Sequence, residues 1–509
     1  MEHQIEALRL PKNLAMKKYI LIINTCICLA AFLFANVEEA CSQSAGAQTN
    51  NVETLLANKS ARVDSLFVQW SQENSPGIAV LVMKDGKVIY KKGFGLANME
   101  TETPITPETI FDLASIGKQF TAMCIMMLTE RGKLAYDDPL SKFFPEFPAY
   151  AEKITIRHLL NHTAGFTEYA ELYIQNGKID SNYESPSNQA RLSFQPTSKD
   201  VLNLLSQQNL LRFIPGDDWE YSDAAYVILG QIVEKVSGES LAQFMHDNIF
   251  KPTGMKHTLL VDETKPEIQN LAVSYMSVGN ELKGTNSNPL SLIYGDGNVN
   301  SSIEDLVKWY AALDNNKLVK ASTLSQAFTS GKLNNGVNTG YGFGWFVSNA
   351  SGLERAAHSG TWMGFHNVVA YYPKEHFVAL ILSNDGRLTR PDRSVLINRL
   401  TKIYLADKMM FPAPVQISSE LMQQYAAKYE LEDGSQFDIS FDGSALWIKS
   451  GRLLPVKLIP ESEVKFFVDN AEDDWYFFVK DNKGKVLGLN SHLSFTGYTK
   501  LAYGWARKV

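Results

Sequence analysis

Residues 109–122, TIFDLASIGKQFTA, place Ser115 three positions before Lys118 at the start of an apolar stretch. Apolar side chains then recur at helical spacing, and Gly132 stands where a helix C-terminus favours glycine. On a helix, residues three apart share a face, so the amine can take the hydroxyl proton. Backbone N–H groups at the start of the same helix can hold a negatively charged oxygen. The segment therefore predicts a buried helix that presents a candidate serine nucleophile.

A Ser-x-x-Lys pattern is weak evidence by itself, because a chain of 509 residues should contain about one or two by chance. A second match runs from Ser462 to Lys465, in a strand-rich tail. Residues three apart on a strand point to opposite faces, so we exclude this pair. For Ser115 the simpler alternative is a helix-capping residue beside a solvated Lys118.

Four further segments follow residues 109–122 in order. They are residues 154–166 (ITIRHLLNHTAGF), Pro215-Gly216 ahead of Tyr221-Ser222-Asp223, Gly295-Asp296-Gly297 and His358-Ser359-Gly360. Together, over about residues 75–383, they resemble the serine β-lactamase and penicillin-binding-protein superfamily in its class C-like branch. The resemblance implies an α+β fold, with an antiparallel sheet flanked by helices and a helical subdomain. It also implies hydrolysis through an acyl-enzyme on serine.

The resemblance assigns three catalytic positions. Ser115 corresponds to the acylated nucleophile, Lys118 to its proton acceptor, and Tyr221 to a second acid or base that protonates the leaving group and activates water. For that work we expect the pKa of Tyr221 to be lowered from about 10, which Lys118 and a protonated His358 could achieve. We also expect Lys118 on an exposed face, so that its removal abolishes acylation and leaves the fold intact.

The same resemblance assigns Asp223, His358, Gly360 and Thr361 to substrate binding, with the backbone N–H groups of Ser115 and Thr361 forming an oxyanion hole. Two positions depart from the family pattern. Asp223 replaces the asparagine of a Tyr-x-Asn motif, and an ionised carboxylate only accepts hydrogen bonds. His358 replaces the lysine of many relatives, and imidazole titrates near pH 6.5. These changes favour peptidase or esterase activity over efficient β-lactam hydrolysis, and leave peptides, β-lactams and esters all open.

Other candidate chemistry has less support. His158 and His162 are four residues apart, but the sequence contains no HExxH or HxH motif, so we expect structural roles and predict no metal and no cofactor. Asp137 and Asp138 precede a proline and indicate a turn. Cys124 lies on the apolar helix face and is expected to pack there as an unreactive thiol.

The charge balance excludes one class of partner. The chain has 48 Lys and Arg against 55 Asp and Glu, a net charge of -7, so it offers no basic surface for nucleic acid.

Four cysteines are too few for a disulfide scaffold in 509 residues. That length exceeds the roughly 250–300 residues that one core organises, so we expect at least two folded parts.

The N-terminus resembles a secretory signal, because Met16-Lys17-Lys18 is followed by an apolar run, residues 19–34, and then by Ala45-Gly46-Ala47. Cleavage after Ala47 would place the mature protein in the periplasm or outside the cell. Two alternatives would attach it to a membrane: an uncleaved anchor, or a lipid on Cys41. Met16 is a second candidate start.

Local patterns predict several elements. Two apolar runs around Asp85-Gly86 indicate a hairpin, and residues 365–372 and 377–383 indicate a second one. Residues 171–200 are polar and interrupted by Gly and Pro, which favours a long loop, with Thr197 capping the next helix.

The composition changes after a helix predicted at residues 393–408, where Phe411-Pro412-Ala413-Pro414 indicates a linker. Short strands separated by Gly-containing turns follow, typical of a small all-β domain, lipocalin-like or barrel-like. We therefore divide the chain into a signal peptide (1–47), a hydrolase domain (48–410) and a β domain (411–509).

The combined hypothesis is an exported serine hydrolase that acts on a peptidoglycan-type peptide, a β-lactam or a small ester. One alternative is a catalytically weak binder of cell-wall peptide that uses the same pocket. Another is that the β domain itself is the functional module, binding a polysaccharide or a partner. The sequence does not distinguish the role of the β domain or the oligomeric state.

Overall fold

The computed structural model describes residues 55–185, 194–286, 288–411, 413–431, 436–449, 455–468, 471–492 and 504–509. The predicted signal peptide lies outside them, as do Cys41 and one of the Gly-containing turns expected in the tail, at Asp433-Gly434. The chain divides into residues 1–62, of which 55–62 are described and helical, and a unit of residues 63–509. Among the described helices, none has both the length and the apolarity needed to cross a bilayer.

Six antiparallel strands form the central sheet of the larger unit. In spatial order they are Phe346–Ala350, Leu353–Trp362, Phe365–Tyr372, Phe377–Ser383, Ile78–Lys84 and Lys87–Phe94. Both predicted hairpins are present. Asp85 and Gly86 have φ angles of 51° and 72°, the left-handed pair that a two-residue type I′ turn requires. Leu81 lies opposite Leu380, so an N-terminal and a C-terminal hairpin meet between the fourth and fifth strands of the sheet.

The strand Ile78–Lys84 is buried on both faces of this sheet. Alternate side chains enter different apolar clusters, Leu81 belonging to the larger one and Val80 to the smaller, as the period of two along a strand requires. The smaller cluster is covered by helix Arg390–Leu405. This is the helix predicted at residues 393–408, and it begins and ends three residues earlier.

The larger cluster is covered by helices that also build the helical subdomain. Helix Lys118–Glu130 packs against helix Asp223–Ser237, and helix Ile303–Asp314 packs against the sheet. The other α-helices are Leu140–Phe143, Ile156–Leu160, Tyr169–Gln175, Ser198–Ser206, Leu241–Met245, Lys251–Thr253 and Ala321–Ala327. Small sheets are formed by Leu96–Asn98 with Thr103–Pro104, by Phe111–Asp112 with Val299–Ser301 and Leu259–Leu260, and by Tyr275–Val278 with Glu281–Gly284.

The polar stretch 171–200 contains less loop than the sequence predicts. Helix Tyr169–Gln175 occupies its beginning and helix Ser198–Ser206 its end. Thr197 caps the second helix as expected, because its hydroxyl group accepts a hydrogen bond from the Asp200 N–H while the Asp200 carboxylate accepts one from the Thr197 N–H.

The C-terminal region is a closed antiparallel barrel, in agreement with the predicted all-β tail. Its strands are Ala427–Leu431, Gln436–Phe441, Leu446–Lys449, Val456–Pro460, Lys465–Val468, Ala471–Lys480, Val486–His492 and Gly504–Lys508, and the first pairs with the last. Helix Ser419–Tyr425 precedes it. The Tyr425 ring stacks on Phe478 with centroids 3.9 Å apart, and Phe466 is buried beside them. Side chains therefore fill the barrel interior.

Replacing Leu380 by alanine is expected to destabilise the larger unit by about 2–5 kcal/mol, because it empties space between buried strands. Leu380 is 0% exposed, whereas Val88 on the hairpin strand is 39% exposed. Val88→Ala is the matched control and should change stability by less than about 0.5 kcal/mol. Urea unfolding of both variants measures the difference, and equal losses would contradict this account of the sheet.

Candidate active site

Ser115 lies in a short 3-10 turn, Ala114–Gly117, and helix Lys118–Glu130 follows directly. The sequence predicts that Ser115 opens the α-helix, whereas the α-helix begins at Lys118. Ala114 has a φ angle of 50°, which is uncommon for a residue with a side chain and stores strain. The Asp112 carboxylate accepts a hydrogen bond from the Ala114 N–H at 2.8 Å. Asp112 thus holds the strained backbone that presents Ser115.

Lys118 is fully buried, so the prediction of an exposed lysine is wrong. Its Nζ lies 3.2 Å from Ser115 Oγ, 2.5 Å from Asp223 Oδ1 and 2.7 Å from the Asp296 carbonyl oxygen. An ammonium group has three hydrogens, and these three oxygens accept them all. Lys118 therefore fixes the positions of three chain segments as well as contacting the candidate nucleophile.

Asp223 reaches Lys118 from the first turn of helix Asp223–Ser237. The Ser222 hydroxyl group caps this helix by accepting from the Ala225 N–H. The Glu168 carboxylate accepts from the N–H groups of Asp223 and Ala224 at 3.0 and 3.3 Å. The carboxyl groups of Asp223 and Glu168 therefore meet at one helix N-terminus.

Tyr221 places its hydroxyl group beside Ser115. The oxygen is buried, and the nearby Ser115 side chain acts to lower the Tyr221 pKa. Burial and the nearby Asp223 carboxylate outweigh this contact and raise the pKa well above its ordinary value. The expectation of a lowered tyrosine pKa is therefore wrong. Tyr221 is a neutral phenol whose ring centroid lies 5.0 Å from the Lys118 ammonium.

His358 is buried and neutral. Its Nδ1 lies 2.7 Å from the Ser359 carbonyl oxygen, which can only accept, so Nδ1 carries the hydrogen and Nε2 accepts from the Tyr341 hydroxyl group at 3.0 Å. Burial, followed by the Lys118 charge, lowers the His358 pKa to about 3. The protonated His358 that could have lowered the Tyr221 pKa is therefore absent at neutral pH.

Gly360 and Thr361 lie on strand Leu353–Trp362, which passes directly against the Ser115 segment. A Cβ atom at Gly360 would lie 2.2 Å from the Leu113 carbonyl oxygen, so only glycine permits this approach. Ser115 and Thr361 line one cavity of about 50 Å³. The structure thus brings together the two residues predicted to form the oxyanion hole.

The structure also reveals polar groups around the site to which the sequence analysis assigned no role. Tyr169 donates to Asp296 Oδ2 at 2.7 Å. Arg393 donates to the Gly360 carbonyl oxygen at 2.8 Å and to Thr361 Oγ1 at 2.9 Å, which fixes the strand beside Ser115 from its other side. Asp296 lies in the Gly-Asp-Gly segment of the resemblance, whereas Tyr169 and Arg393 had no local sequence signal.

Two carboxyl groups at the site, those of Glu168 and Asp296, have strongly raised pKa values. Burial and, second, the charge of Asp223 raise the pKa of Glu168 to about 8 and that of Asp296 to about 7. The site therefore contains carboxyl groups that change protonation close to neutral pH.

The residues that the sequence analysis set aside have local partners. His158 Nδ1 accepts from the Thr155 N–H, and His162 Nδ1 accepts from the Ser222 N–H. Asp138 accepts from the Ala135 N–H in a turn. Cys124 is buried in its helix, and burial raises the pKa of its thiol. These contacts are of the structural kind expected for His158, His162, Asp138 and Cys124.

Comparison with known proteins supports the resemblance. A family model described as beta-lactamase matches residues 50–400. Penicillin-binding protein 4* of Bacillus subtilis (strain 168) is 30% identical over 436 residues, which cover 81% of this chain and 92% of that protein.

Solved structures agree with the sequence comparisons. The octameric penicillin-binding protein homologue from Pyrococcus abyssi superposes with a TM-score of 0.59 at 25% identity, over 88% of this chain and 99% of that one. A D-amino acid amidase from Ochrobactrum anthropi SV3 has a TM-score of 0.57 at 20% identity, over 69% and 99% of the two chains, and shows likeness of fold.

Replacing Lys118 by alanine is expected to lower the free energy of unfolding by roughly 1–3 kcal/mol, because it leaves the Asp223 carboxylate and the Asp296 carbonyl without their donor. The double variant Lys118→Ala/Asp223→Ala should recover part of that loss, since it also removes the carboxylate. Chemical unfolding of both measures the coupling. A single variant as stable as the unaltered protein would contradict the role of the buried ammonium group.

The raised pKa of Glu168 predicts a pH-dependent stability. Below its ordinary value of 4.5, both folded and unfolded states hold the proton. From there to about pH 8 the unfolded chain releases it while the folded protein retains it, so the free energy of unfolding falls as pH rises. Glu168→Gln keeps an acceptor oxygen and should remove this fall, by more than about 1.4 kcal/mol between pH 5 and 8. Parallel pH profiles for the two proteins would contradict the assignment.

Proposed function

The chain belongs to the beta-lactamase family, as a serine hydrolase of the β-lactamase and penicillin-binding-protein superfamily, and we propose that it forms an acyl-enzyme on Ser115. The observation that carries the proposal is the position of Ser115 Oγ, 3.2 Å from Lys118 Nζ and beside the Tyr221 side chain. A hydroxyl group between an amine and a phenol has both a proton acceptor and a proton donor within reach.

Acylation begins with the loss of one proton from the Lys118 ammonium group. Because all three ammonium hydrogens are donated, the amine must lose one before it can act as a base, and Asp223 at 2.5 Å is the acceptor within reach. The neutral amine then takes the Ser115 proton as Oγ attacks the substrate carbonyl carbon. The N–H groups of Ser115 and Thr361 stabilise the resulting oxyanion.

The leaving group departs with a proton from Tyr221. The raised pKa keeps Tyr221 in the phenol form, so it is suited to donate rather than accept at this step. The tyrosinate regains a proton from the Lys118 ammonium, which closes the cycle. Hydrolysis of the acyl-enzyme follows by the reverse route, with water in place of the leaving group.

The electrostatics favour peptides or small esters over β-lactams as substrates. His358 is neutral where many relatives carry a lysine, so it supplies no positive charge for a substrate carboxylate. Asp223 accepts from Lys118 and does not offer the amide hydrogen of an asparagine.

We further propose that the chain is exported and loses residues 1–47. Membrane attachment is the alternative to this cleavage, and it would need an uncleaved signal or a lipid on Cys41.

An acylating probe tests the proposal. A fluorophosphonate or a penicillin should add one covalent mass to the protein, and Ser115→Ala should abolish it. Ser462→Ala is the matched control, because Ser462 belongs to the other Ser-x-x-Lys pattern and caps a turn in the barrel by accepting from the Lys465 N–H. Intact-mass spectrometry gives the result. Labelling that persists in Ser115→Ala, or no labelling by either probe, would overturn the acyl-enzyme and favour a non-catalytic binder.

A further inference from the structure

The side chain of Asn367 joins the central sheet to the segment just before Ser115. Asn367 lies directly opposite Gly360 in the sheet and is completely buried. Its Nδ2 donates to the Asp112 carbonyl oxygen at 2.9 Å, and its Oδ1 accepts from the Ser383 N–H at 3.2 Å. A carbonyl oxygen only accepts and an N–H only donates, so these two partners fix the orientation of the amide.

One of these partners holds the backbone that presents Ser115. Asp112 accepts from the Asn367 amide with its main-chain carbonyl, while its carboxylate accepts from the Ala114 N–H. The left-handed φ angle of 50° at Ala114 persists only where the surrounding structure enforces it. Ser115 follows Ala114 directly, so the direction of the Ser115 N–H depends on how Asp112 is held.

The strand that carries Thr361 is tied to the same residue. Arg393 is 2% exposed, and its Nη1 donates to the carbonyl oxygens of Gly360 and Asn367 at 2.8 and 3.1 Å. Its Nη2 donates to Thr361 Oγ1 at 2.9 Å. Because a guanidinium group is planar and rigid, these contacts fix the two neighbouring strands relative to each other beside Thr361.

An oxyanion hole built from Ser115 and Thr361 needs such a link, because the two residues come from distant parts of the chain. Both N–H groups must lie about 2.7–3.1 Å from one substrate oxygen. The close approach of Gly360 to the Leu113 backbone limits how near the segments come, whereas directional hydrogen bonds set their relative position. A misplacement of about 1 Å can cost roughly a hundredfold in rate.

We infer that Asn367 is the positioning residue of the oxyanion hole and that Arg393 supports it. Asn367 acts through its neighbours, since it holds the N–H groups of Ser115 and Thr361 at the spacing that one oxyanion requires. The inference rests on the proposed function, because it concerns the acylation of Ser115. Loss of the amide therefore slows the chemical step and leaves the binding of an acylating reagent unchanged.

Two leucine substitutions test the inference. Asn367→Leu keeps the approximate size of the side chain and removes both of its hydrogen bonds. Asn384→Leu is the matched control, because Asn384 is equally buried and its amide has partners of the same kind. It donates to the Val273 carbonyl oxygen at 2.8 Å and accepts from the Gly77 N–H at 2.7 Å.

The rate of Ser115 labelling by a fluorophosphonate is measured by intact-mass spectrometry at several probe concentrations. The concentration dependence separates the maximal rate constant, kinact, from the half-saturating concentration, KI. We expect Asn367→Leu to lower kinact by roughly tenfold or more, with KI changed by less than about twofold and labelling complete at long times. Asn384→Leu should keep both constants within about twofold.

These readouts distinguish positioning from a purely structural role. A residue that only stabilises the fold would lower the folded fraction, and hence the final extent of labelling, without changing kinact of the folded molecules. Circular dichroism measures the folded fraction of each variant.

Arg393→Lys tests the inference if Asn367→Leu does not fold. Lysine keeps the positive charge but lacks the planar fork that reaches Thr361 and both carbonyl oxygens. We expect kinact to fall by about threefold or more, again with KI nearly unchanged.

The outcomes separate this inference from the proposed function. An unchanged kinact in folded Asn367→Leu overturns the positioning role while acylation stands, and so does an equal fall of kinact in Asn384→Leu. Where Asn367→Leu does not fold, an unchanged kinact in Arg393→Lys overturns it. If the unaltered protein is not labelled at all, the proposed function fails and the inference fails with it.

Discussion

The buried ammonium group of Lys118 is the interaction on which the site depends. It ties the Ser115 turn, the start of helix Asp223–Ser237 and the Asp296 backbone to one atom. Removing a charge from water costs several kcal/mol unless every hydrogen finds an acceptor, so these three segments are held in place by the need to satisfy it. The same contact that organises the fold around Ser115 is the one proposed to carry its proton chemistry.

Burial sets the protonation states of the other groups. Tyr221 is kept as a phenol and His358 as a neutral imidazole, whereas Glu168 and Asp296 titrate near neutral pH. The polar groups therefore divide into two sets. Those close to the nucleophile keep one protonation state at neutral pH, whereas the acids around them gain or lose a proton there. Asp223 contributes to this division, because its charge is the second cause, after burial, of the raised pKa values of Glu168 and Asp296.

Short-range features were predictable from sequence, and long-range ones were not. The Asp85-Gly86 turn and the Thr197 cap depend on residues within three positions, so local patterns are sufficient. Tyr169 and Asp296, by contrast, meet across 127 residues. The burial of Lys118 also arises only when distant segments pack around it. For this reason Lys118 was wrongly predicted to be exposed, and the pKa of Tyr221 was wrongly predicted to be lowered. The motif resemblance found Ser115 because it carries long-range information that periodicity lacks.

The pairing of strand Ile78–Lys84 with strand Phe377–Ser383 has a consequence for how the protein matures. These neighbours are about 300 residues apart in the chain, and contacts of such separation form slowly because a long loop must close first. A ribosome must therefore release most of the chain before the central sheet can be completed. Strand Leu353–Trp362 is also synthesised late, so Ser115 lacks its Thr361 partner until then. The candidate site is consequently incomplete in a nascent chain, and it forms only after the last strands of the sheet dock.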